Sequence, residues 1–148
     1  MMTVNDVIQT LRFSGMRVRT ALWLLPIADL FQLTDTAARL GLSLVDTRQP
    51  ILDNVVPGQR FLGLGVHECV QALDALCQRE QATDCVLVAN FDLLVARLPY
   101  ENRQDLWATL YDGFPHRSRA LLLTMPRDAA ALLPHELENW RKDKRLVT

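Results

Sequence analysis

The residues best placed to do chemistry follow the short apolar runs of the chain. Asn90 and Asp92 come directly after the run CVLVA, which ends at Ala89. Polar residues also lie in or after two other runs: Asp46 and Arg48 after LSLV, and Thr124 and Arg127 in and after ALLLTM. If these runs are strands of a parallel sheet, the polar side chains meet at its carboxyl edge, where open α/β sheets bind ligands. A carboxylate at that edge orients a water molecule or caps a helix.

The turn after the first apolar run lacks the residues that bind phosphate. A phosphate-binding turn needs glycines, so that backbone N–H groups can approach the phosphates, and a lysine that reaches the terminal ones. Residues 25–31 read LPIADLF, without Gly, Lys, Ser or Thr, and Asp29 would repel a phosphate. The residues therefore predict no cofactor.

The remaining reactive residue types form no recognisable site. The histidines (His67, His116 and His135) and the cysteines (Cys69, Cys77 and Cys85) have no metal-ligand spacing. No serine stands in a G-x-S-x-G context. We therefore expect no catalytic residue, no metal site and three buried thiols, with the tryptophans acting as core or interface anchors.

Length and composition indicate one domain, residues 1–148, with a helix within residues 1–15. The chain has 148 residues, 49% of them hydrophobic, and a net charge of −1. This balance argues against direct nucleic-acid binding, although residues 141–145 (RKDKR) form a local basic patch. No secretory signal and no run of about 20 apolar residues is present, so we expect a cytoplasmic location without membrane insertion. Low net charge with much apolar surface is typical of a subunit that binds a partner.

The hydrophobic periodicity predicts strands that alternate with helices. Helices are expected near residues 3–15 with Thr3 as cap, and over 28–40 with Gly41 as stop, 66–77, 101–114, and from Asp128 with a break at Pro134. Strands are expected over residues 20–25, 42–45, 61–64, 85–89 and 119–125, with an edge strand at 146–148 and a loop at 49–60. This order predicts a three-layer α/β domain with helices on both faces of a mainly parallel sheet.

The order of elements resembles the additional-strand branch of P-loop ATPases, which contains AAA-type and STAND-type proteins. In those families the central strand ends in an aspartate that holds magnesium, often within a D-N-[apolar]-[DE]-L-L run. The segment VLVANFDLL matches that run at Asn90, Asp92, Leu93 and Leu94, but Ala89 stands where the aspartate would be. Both phosphate-handling motifs therefore depart from the pattern, and the chain resembles a pseudo-ATPase.

The resemblance extends to other positions and to a narrower family. Thr124 matches the sensor position of such enzymes, and Arg127, Arg141 and Arg145 are candidate relics of sensor or finger arginines. Length and layout look most like the small P-loop protein family of bacteriophage-exclusion (BREX) defence operons, BrxF.

The first functional hypothesis is a non-catalytic, ATPase-like interaction or assembly subunit of a prokaryotic anti-phage defence or other nucleic-acid-processing complex. Its expected partners are a larger ATPase, another defence-complex subunit or further copies of itself. The expected contact points are the apolar residues Phe31, Trp140 and Leu146, which we predict to be exposed.

Two alternatives remain open. One is a nucleotide-binding ATPase with an atypical phosphate turn, completed by an arginine from a neighbouring subunit. Its nucleotide would lie against Asn90, Asp92, Thr124 and Arg127. The other is a small-molecule enzyme on a Rossmann-like sheet that uses Asp46, Arg48 or Asp92 at the strand ends.

Overall fold

The computed structural model describes residues 2–13, 15, 17–47, 65–78, 84–115, 117 and 119–148. The predicted loop at 49–60, the predicted strand at 61–64, and Arg48 and His116 lie outside these residues.

Helices and strands alternate along the chain, as the periodicity predicts. The helices are α1 (Val4–Phe13), α2 (Ile27–Leu30), α3 (Leu33–Leu40), α4 (Val66–Gln78), α5 (Phe91–Ala96), α6 (Tyr100–Asp112), a 3₁₀ turn (Ala130–Leu132) and α7 (Leu137–Lys142). The strands are β1 (Thr20–Leu25), β2 (Ser43–Asp46), β3 (Cys85–Ala89), β4 (Ala120–Pro126) and β5 (Leu146–Val147).

The five strands form one sheet in the order β2-β3-β4-β1-β5, and every pair is parallel. β4 lies between β1 and β3, so its end is close to both of theirs. The predicted three-layer α/β fold is confirmed, and the carboxyl ends of all strands meet at one edge.

Side chains of the strands alternate between two cores. Leu121 and Leu123 of β4 face the core formed with α4, α5, α6 and α7, whereas Leu122 faces the core formed with α1 and α3. Because both faces are covered, the strands read as continuous apolar runs rather than as an alternating pattern. The prediction of buried thiols is also confirmed, since Cys69 and Cys77 lie in one core and Cys85 in the other.

Local sequence explains the ends of α1 and α3. The Asp6 backbone N–H donates to Thr3 Oγ1 at 3.2 Å, and the Thr3 N–H donates to Asp6 Oδ2 at 2.9 Å, which confirms Thr3 as the cap. Hydrogen bonds to the Asp6 carboxylate from the Thr3 backbone N–H and from the Thr3 side chain lower the pKa of Asp6. Gly41 ends α3 in the left-handed conformation (φ 69°), as expected of a helix-stop glycine.

The prediction of one helix over residues 28–40 is wrong, because the structure has two helices there. α2 ends at Leu30 and has no buried residue, while Leu33 and Ala37 bury α3 against the sheet. Between them Gln32 adopts φ −115° and ψ 21°, outside the helical region. The break leaves Phe31 exposed at the carboxyl edge.

Two further helices differ from the prediction. α5, which the periodicity did not predict, begins directly after β3 and buries Phe91, Leu94 and Val95. The helix expected from Asp128 is instead the 3₁₀ turn followed by α7, which begins three residues after Pro134. The edge strand near the C-terminus is confirmed as β5, which pairs with β1.

Trp140 and Leu146 were predicted to be exposed contact points, and this is wrong. They are 2% and 3% exposed and lie in the same core. Trp140 packs edge-on against Trp107 and Tyr111, with ring centroids 6.0 and 5.1 Å away. Residues that are distant in the sequence bury these side chains, and the local sequence pattern does not predict such contacts.

Arg145 belongs to the same core and is only 4% exposed. Its Nε donates to the Thr20 carbonyl at 2.9 Å and one Nη to Thr20 Oγ1 at 2.8 Å. The guanidinium carbon lies 4.3 Å from the Tyr111 ring centroid and 4.6 Å from that of Trp140. Arg145 is therefore neither part of a basic surface patch nor a finger arginine, and both predictions are wrong for it.

No helix in the described ranges combines the length and apolar content needed to span a bilayer.

Candidate functional site at the carboxyl edge

A cleft of about 610 Å³ opens at the carboxyl edge of the sheet. Its walls come from the first turn after β1, from α3, from the ends of β2 and β3, from α5 and from Pro126 of β4. This is the place where an open α/β sheet binds its ligand. The apolar lining residues are Ile27, Leu30, Phe31, Leu33, Leu44, Ala89 and Leu93, besides Pro126.

Asn90 fixes one side of this cleft. It adopts the left-handed conformation (φ 61°), which asparagine tolerates better than most residues, and α5 starts immediately afterwards. Its Nδ2 donates to Asp46 Oδ2 at 2.9 Å, which joins the ends of β2 and β3. Thr47 strengthens the same junction, because its backbone N–H and its hydroxyl both donate to the Ala89 carbonyl, at 3.1 and 3.0 Å.

Asp92 and Leu93 reach the cleft from the first turn of α5. The helix is held in place because its other side is buried in the core through Phe91, Leu94 and Val95. Asp92 is therefore a half-buried carboxylate on an anchored element, beside the Asp46–Asn90 pair.

The charge of the cleft is unfavourable for phosphate. The described lining residues contain two carboxylates, Asp46 and Asp92, and no Lys, Arg or His. Asp29, exposed in α2, adds a third negative charge at this edge. Phosphoryl transfer needs cations that neutralise the developing charge, and the described lining supplies none. Nor does any group of three or more His, Cys, Asp or Glu that would suit a metal ion occur in the described part of the chain.

The four residues predicted to contact a nucleotide are only partly brought together. Asn90 and Asp92 line the cleft. Thr124 is fully buried, and its hydroxyl donates to the Val88 carbonyl at 2.6 Å within the sheet. Arg127 is exposed just after β4 and does not line the cleft, although its backbone N–H donates to the Leu25 carbonyl at 2.8 Å.

Of the residues proposed for a small-molecule enzyme, Asp46 and Asp92 both line the cleft. Asp46 is engaged with Asn90, and Thr34 contributes a hydroxyl to the same lining. The described lining residues include no cysteine, cation or histidine that would join the two carboxylates in acid–base or covalent catalysis.

The sequence analysis predicted exposure for Phe31 but missed the rest of the apolar wall of the cleft. Ile27, Leu30 and Phe31 follow β1 at i, i+3 and i+4 spacing, which places them on one side of a helical turn. This spacing is a signal for an apolar face, but it reads equally as a core-facing stripe. Ile27 and Phe31 are in fact 59% and 84% exposed.

The cysteines do not provide a nucleophile. Burial raises the pKa of Cys69, Cys77 and Cys85 to about 12 each. Since the thiolate is the reactive form, these thiols are inert at neutral pH.

No protein-family model, no curated protein and no solved structure matches the chain. The case for a function therefore rests on the residues, the fold and the cleft.

Proposed function

We propose that this protein is a non-catalytic, ATPase-like interaction and assembly subunit of a prokaryotic anti-phage defence complex or another nucleic-acid-processing complex. The observation that carries the proposal is the chemistry of the carboxyl-edge cleft. It has an apolar wall and two carboxylates, with no cation among the described lining residues.

The sheet order supports the ATPase-like part of the proposal. β4 lies between β1, which leads into the turn at 26–31, and β3, which ends at Ala89. This is the arrangement for which the additional-strand branch of P-loop ATPases is named. The defence pathway rests on the resemblance to the small P-loop family of bacteriophage-exclusion operons.

The lining residues support the non-catalytic part. Ala89 stands where the ATPases carry the magnesium-binding aspartate, and its side chain cannot bind a metal. The turn after β1 offers neither glycine nor lysine. Catalysis of phosphoryl transfer consists almost entirely of positioning and charge stabilisation. Two carboxylates in an apolar cleft would repel the phosphates, and would therefore oppose both the positioning and the charge stabilisation of a phosphoryl group.

The exposed apolar residues support the interaction part. Ile27, Phe31 and Leu93 are 59%, 84% and 44% exposed, and all three line the same cleft. Large apolar side chains grouped at one place on a surface commonly mark a binding site for another protein. Phe31 is also the one predicted contact residue whose exposure is confirmed.

The experiment for this proposal measures assembly and turnover together. The protein is co-expressed with the products of its neighbouring genes, and the purified material is sized by light scattering and assayed for ATP hydrolysis. We expect a stable assembly, no magnesium-dependent turnover, and loss of the assembly in Phe31→Ser. Tyr100→Ser, another exposed aromatic that does not line the cleft, is the matched control.

Two results would contradict the proposal. A protein that neither self-associates nor co-purifies with a neighbouring gene product is not an assembly subunit. Magnesium-dependent turnover that disappears in Asp92→Ala would instead support the alternative, an ATPase completed by a neighbouring subunit. That alternative is favoured by one observation, the position of Asn90 and Asp92 in the cleft.

A further inference from the structure

The cleft at the carboxyl edge contains hydrogen-bond acceptors that have no donor among the described residues. The Asp92 carboxylate, half-buried in the first turn of α5, makes no hydrogen bond or ion pair with any described residue. Asn90 donates through Nδ2 to the Asp46 carboxylate. Because an ionised carboxylate only accepts hydrogen bonds, this contact fixes the Asn90 amide and leaves its Oδ1 as an acceptor. A third acceptor, the Thr34 hydroxyl, lines the same cleft from α3.

The charge at this edge favours a cation. The described lining contains no Lys, Arg or His, and Arg127, which follows the lining residue Pro126, lies outside it. Asp29, exposed in α2, adds negative charge at the same edge. Hydrogen bonds between a cationic donor and a carboxylate are about twice as strong as those between neutral groups. A ligand group that combines positive charge with N–H donors therefore complements this lining, whereas an anion would be repelled.

The apolar wall determines the rest of the ligand. Ile27, Phe31 and Leu93 expose much of their side chains in the same cleft. A ligand that is polar throughout would leave this surface in contact with water, whereas an apolar body would cover it. The cleft volume of about 610 Å³ lies within the usual range of small-molecule sites. Both features together indicate a cation that carries an apolar body.

We propose that the cleft binds an organic ammonium group attached to an apolar body at least as large as a phenyl ring. A primary ammonium group has three N–H donors, one each for Asp92, Asn90 Oδ1 and the Thr34 hydroxyl. The apolar body packs against the wall that contains Phe31 and Leu93. The inference goes beyond the proposed function, because this ligand binds to the isolated protein and requires no partner.

The first test titrates the isotope-labelled protein with phenethylamine and follows the backbone amide signals by NMR. Phenethyl alcohol, which has nearly the same shape without the charge, and phenylacetate, which has the opposite charge, are the controls. We expect phenethylamine to shift the signals of Asn90, Asp92 and Leu93 at millimolar concentration, as is usual for a ligand of so few atoms. It should bind at least about threefold more tightly than the alcohol, the scale of one partly exposed ion pair. Phenylacetate should leave these signals unchanged.

Substitutions separate the effect of charge from that of the apolar wall. Asp92→Asn removes the negative charge at nearly constant shape and should abolish the preference for the amine over the alcohol. Asp105→Asn, at an exposed acid on α6 that does not line the cleft, should keep the preference. Phe31→Ser should weaken the amine and the alcohol alike, because it withdraws apolar surface that both ligands contact. Circular dichroism checks that each variant keeps the fold.

A peptide identifies where the ammonium group comes from, since a free amine and a lysine side chain next to an apolar residue share this chemistry. Acetyl-Phe-Lys-amide carries the group on a peptide, and acetyl-Phe-norleucine-amide is the uncharged control. Tighter binding of the lysine peptide than of phenethylamine would identify a polypeptide ligand. Tighter binding of phenethylamine would identify a free amine. Either result, with the charged ligand preferred over its control, supports recognition of an ammonium group.

Three results would overturn the inference: no shift of the cleft signals with either charged ligand, equal binding of the amine and the alcohol, or a preference for the amine that survives in Asp92→Asn. Each of them leaves the proposed function standing, because none of these measurements involves an assembly. A protein that binds the amine but forms no assembly would contradict the proposed function and support the inference.

Discussion

Asn90 is the residue that shapes the cleft most directly. It reverses the chain between β3 and α5 in a left-handed conformation, and its side chain ties the end of β2 to the end of β3 through Asp46. The same residue also belongs to the run that resembles the magnesium-binding segment of ATPases. Its observed contacts give it a structural role that needs no nucleotide.

Substitutions at Asn90 separate its two contributions. Asn90→Ala loses the hydrogen bond to Asp46 and also the short polar side chain that lets asparagine tolerate the left-handed conformation, so we expect a loss of about 2 kcal/mol in the free energy of unfolding. Asn90→Gly loses only the hydrogen bond, because glycine adopts this conformation freely, and should lose about 1 kcal/mol. Urea denaturation of both variants measures these losses. Equal losses would show that alanine adopts the left-handed conformation at position 90 without a cost in free energy.

At the scale of elements, the C-terminal segment is held by a buried cation rather than by an ion pair. Arg145 hydrogen-bonds to Thr20 of β1 and to the carbonyls of Leu110 and Tyr111 in α6. Desolvation lowers the pKa of Arg145 to about 10. The cost of burying this charge is offset by hydrogen bonds and by the two aromatic rings that flank the guanidinium.

Removing this cation should loosen the junction of α6, β1 and β5. Arg145→Met fills part of the volume but leaves several carbonyl groups without a donor, so we expect a loss of about 2–4 kcal/mol in the free energy of unfolding. Lys142→Ala, at an exposed site of the same segment, should change it by less than about 0.5 kcal/mol. Chemical denaturation compares the two, and a neutral Arg145→Met would contradict this role.

The elements also show what local sequence encodes. β3 and β4 are predictable because strands buried on both faces read as continuous apolar runs, and α4 because its apolar residues recur at helical spacing. The break between α2 and α3 is not predictable, because residues 28–40 contain no Gly or Pro and packing against the sheet decides where the helix stops. Trp140 and Leu146 seemed exposed because the residues that cover them come from distant elements.

The same distinction applies to the cleft. Its polar residues follow from the rule that strand ends meet at one edge, so Asp46, Asn90 and Asp92 are found from the sequence. Apart from Phe31, its apolar wall is not found from the sequence, because that wall depends on the orientation of α2 and on the position of α5.

At the scale of the whole molecule, the three buried thiols predict how stability depends on pH. Burial raises their folded-state pKa to about 12, above the value of 9.0 for an exposed thiol. Above pH 9 the unfolded chain releases protons that the folded chain retains, so the folded state loses stability as the pH rises. Each thiol should contribute up to about 1.4 kcal/mol per pH unit to this loss.

Urea denaturation between pH 7 and pH 10 measures the effect. The free energy of unfolding should fall above pH 9, and the slope should become shallower in Cys77→Ala, which removes one of the three thiols. Ellman's reagent should label the thiols only after denaturation. Rapid labelling of the folded protein would contradict their burial.

We propose an ATPase-like fold whose cleft binds no nucleotide. The most direct test is the melting temperature of the pure protein with and without excess magnesium-ATP and, separately, ADP. A ligand at a hundred times its dissociation constant stabilises a fold by about 2.7 kcal/mol, which at this size shifts the melting temperature by several degrees. The account predicts no shift with either nucleotide, and a shift that disappears in Asp92→Ala would contradict it.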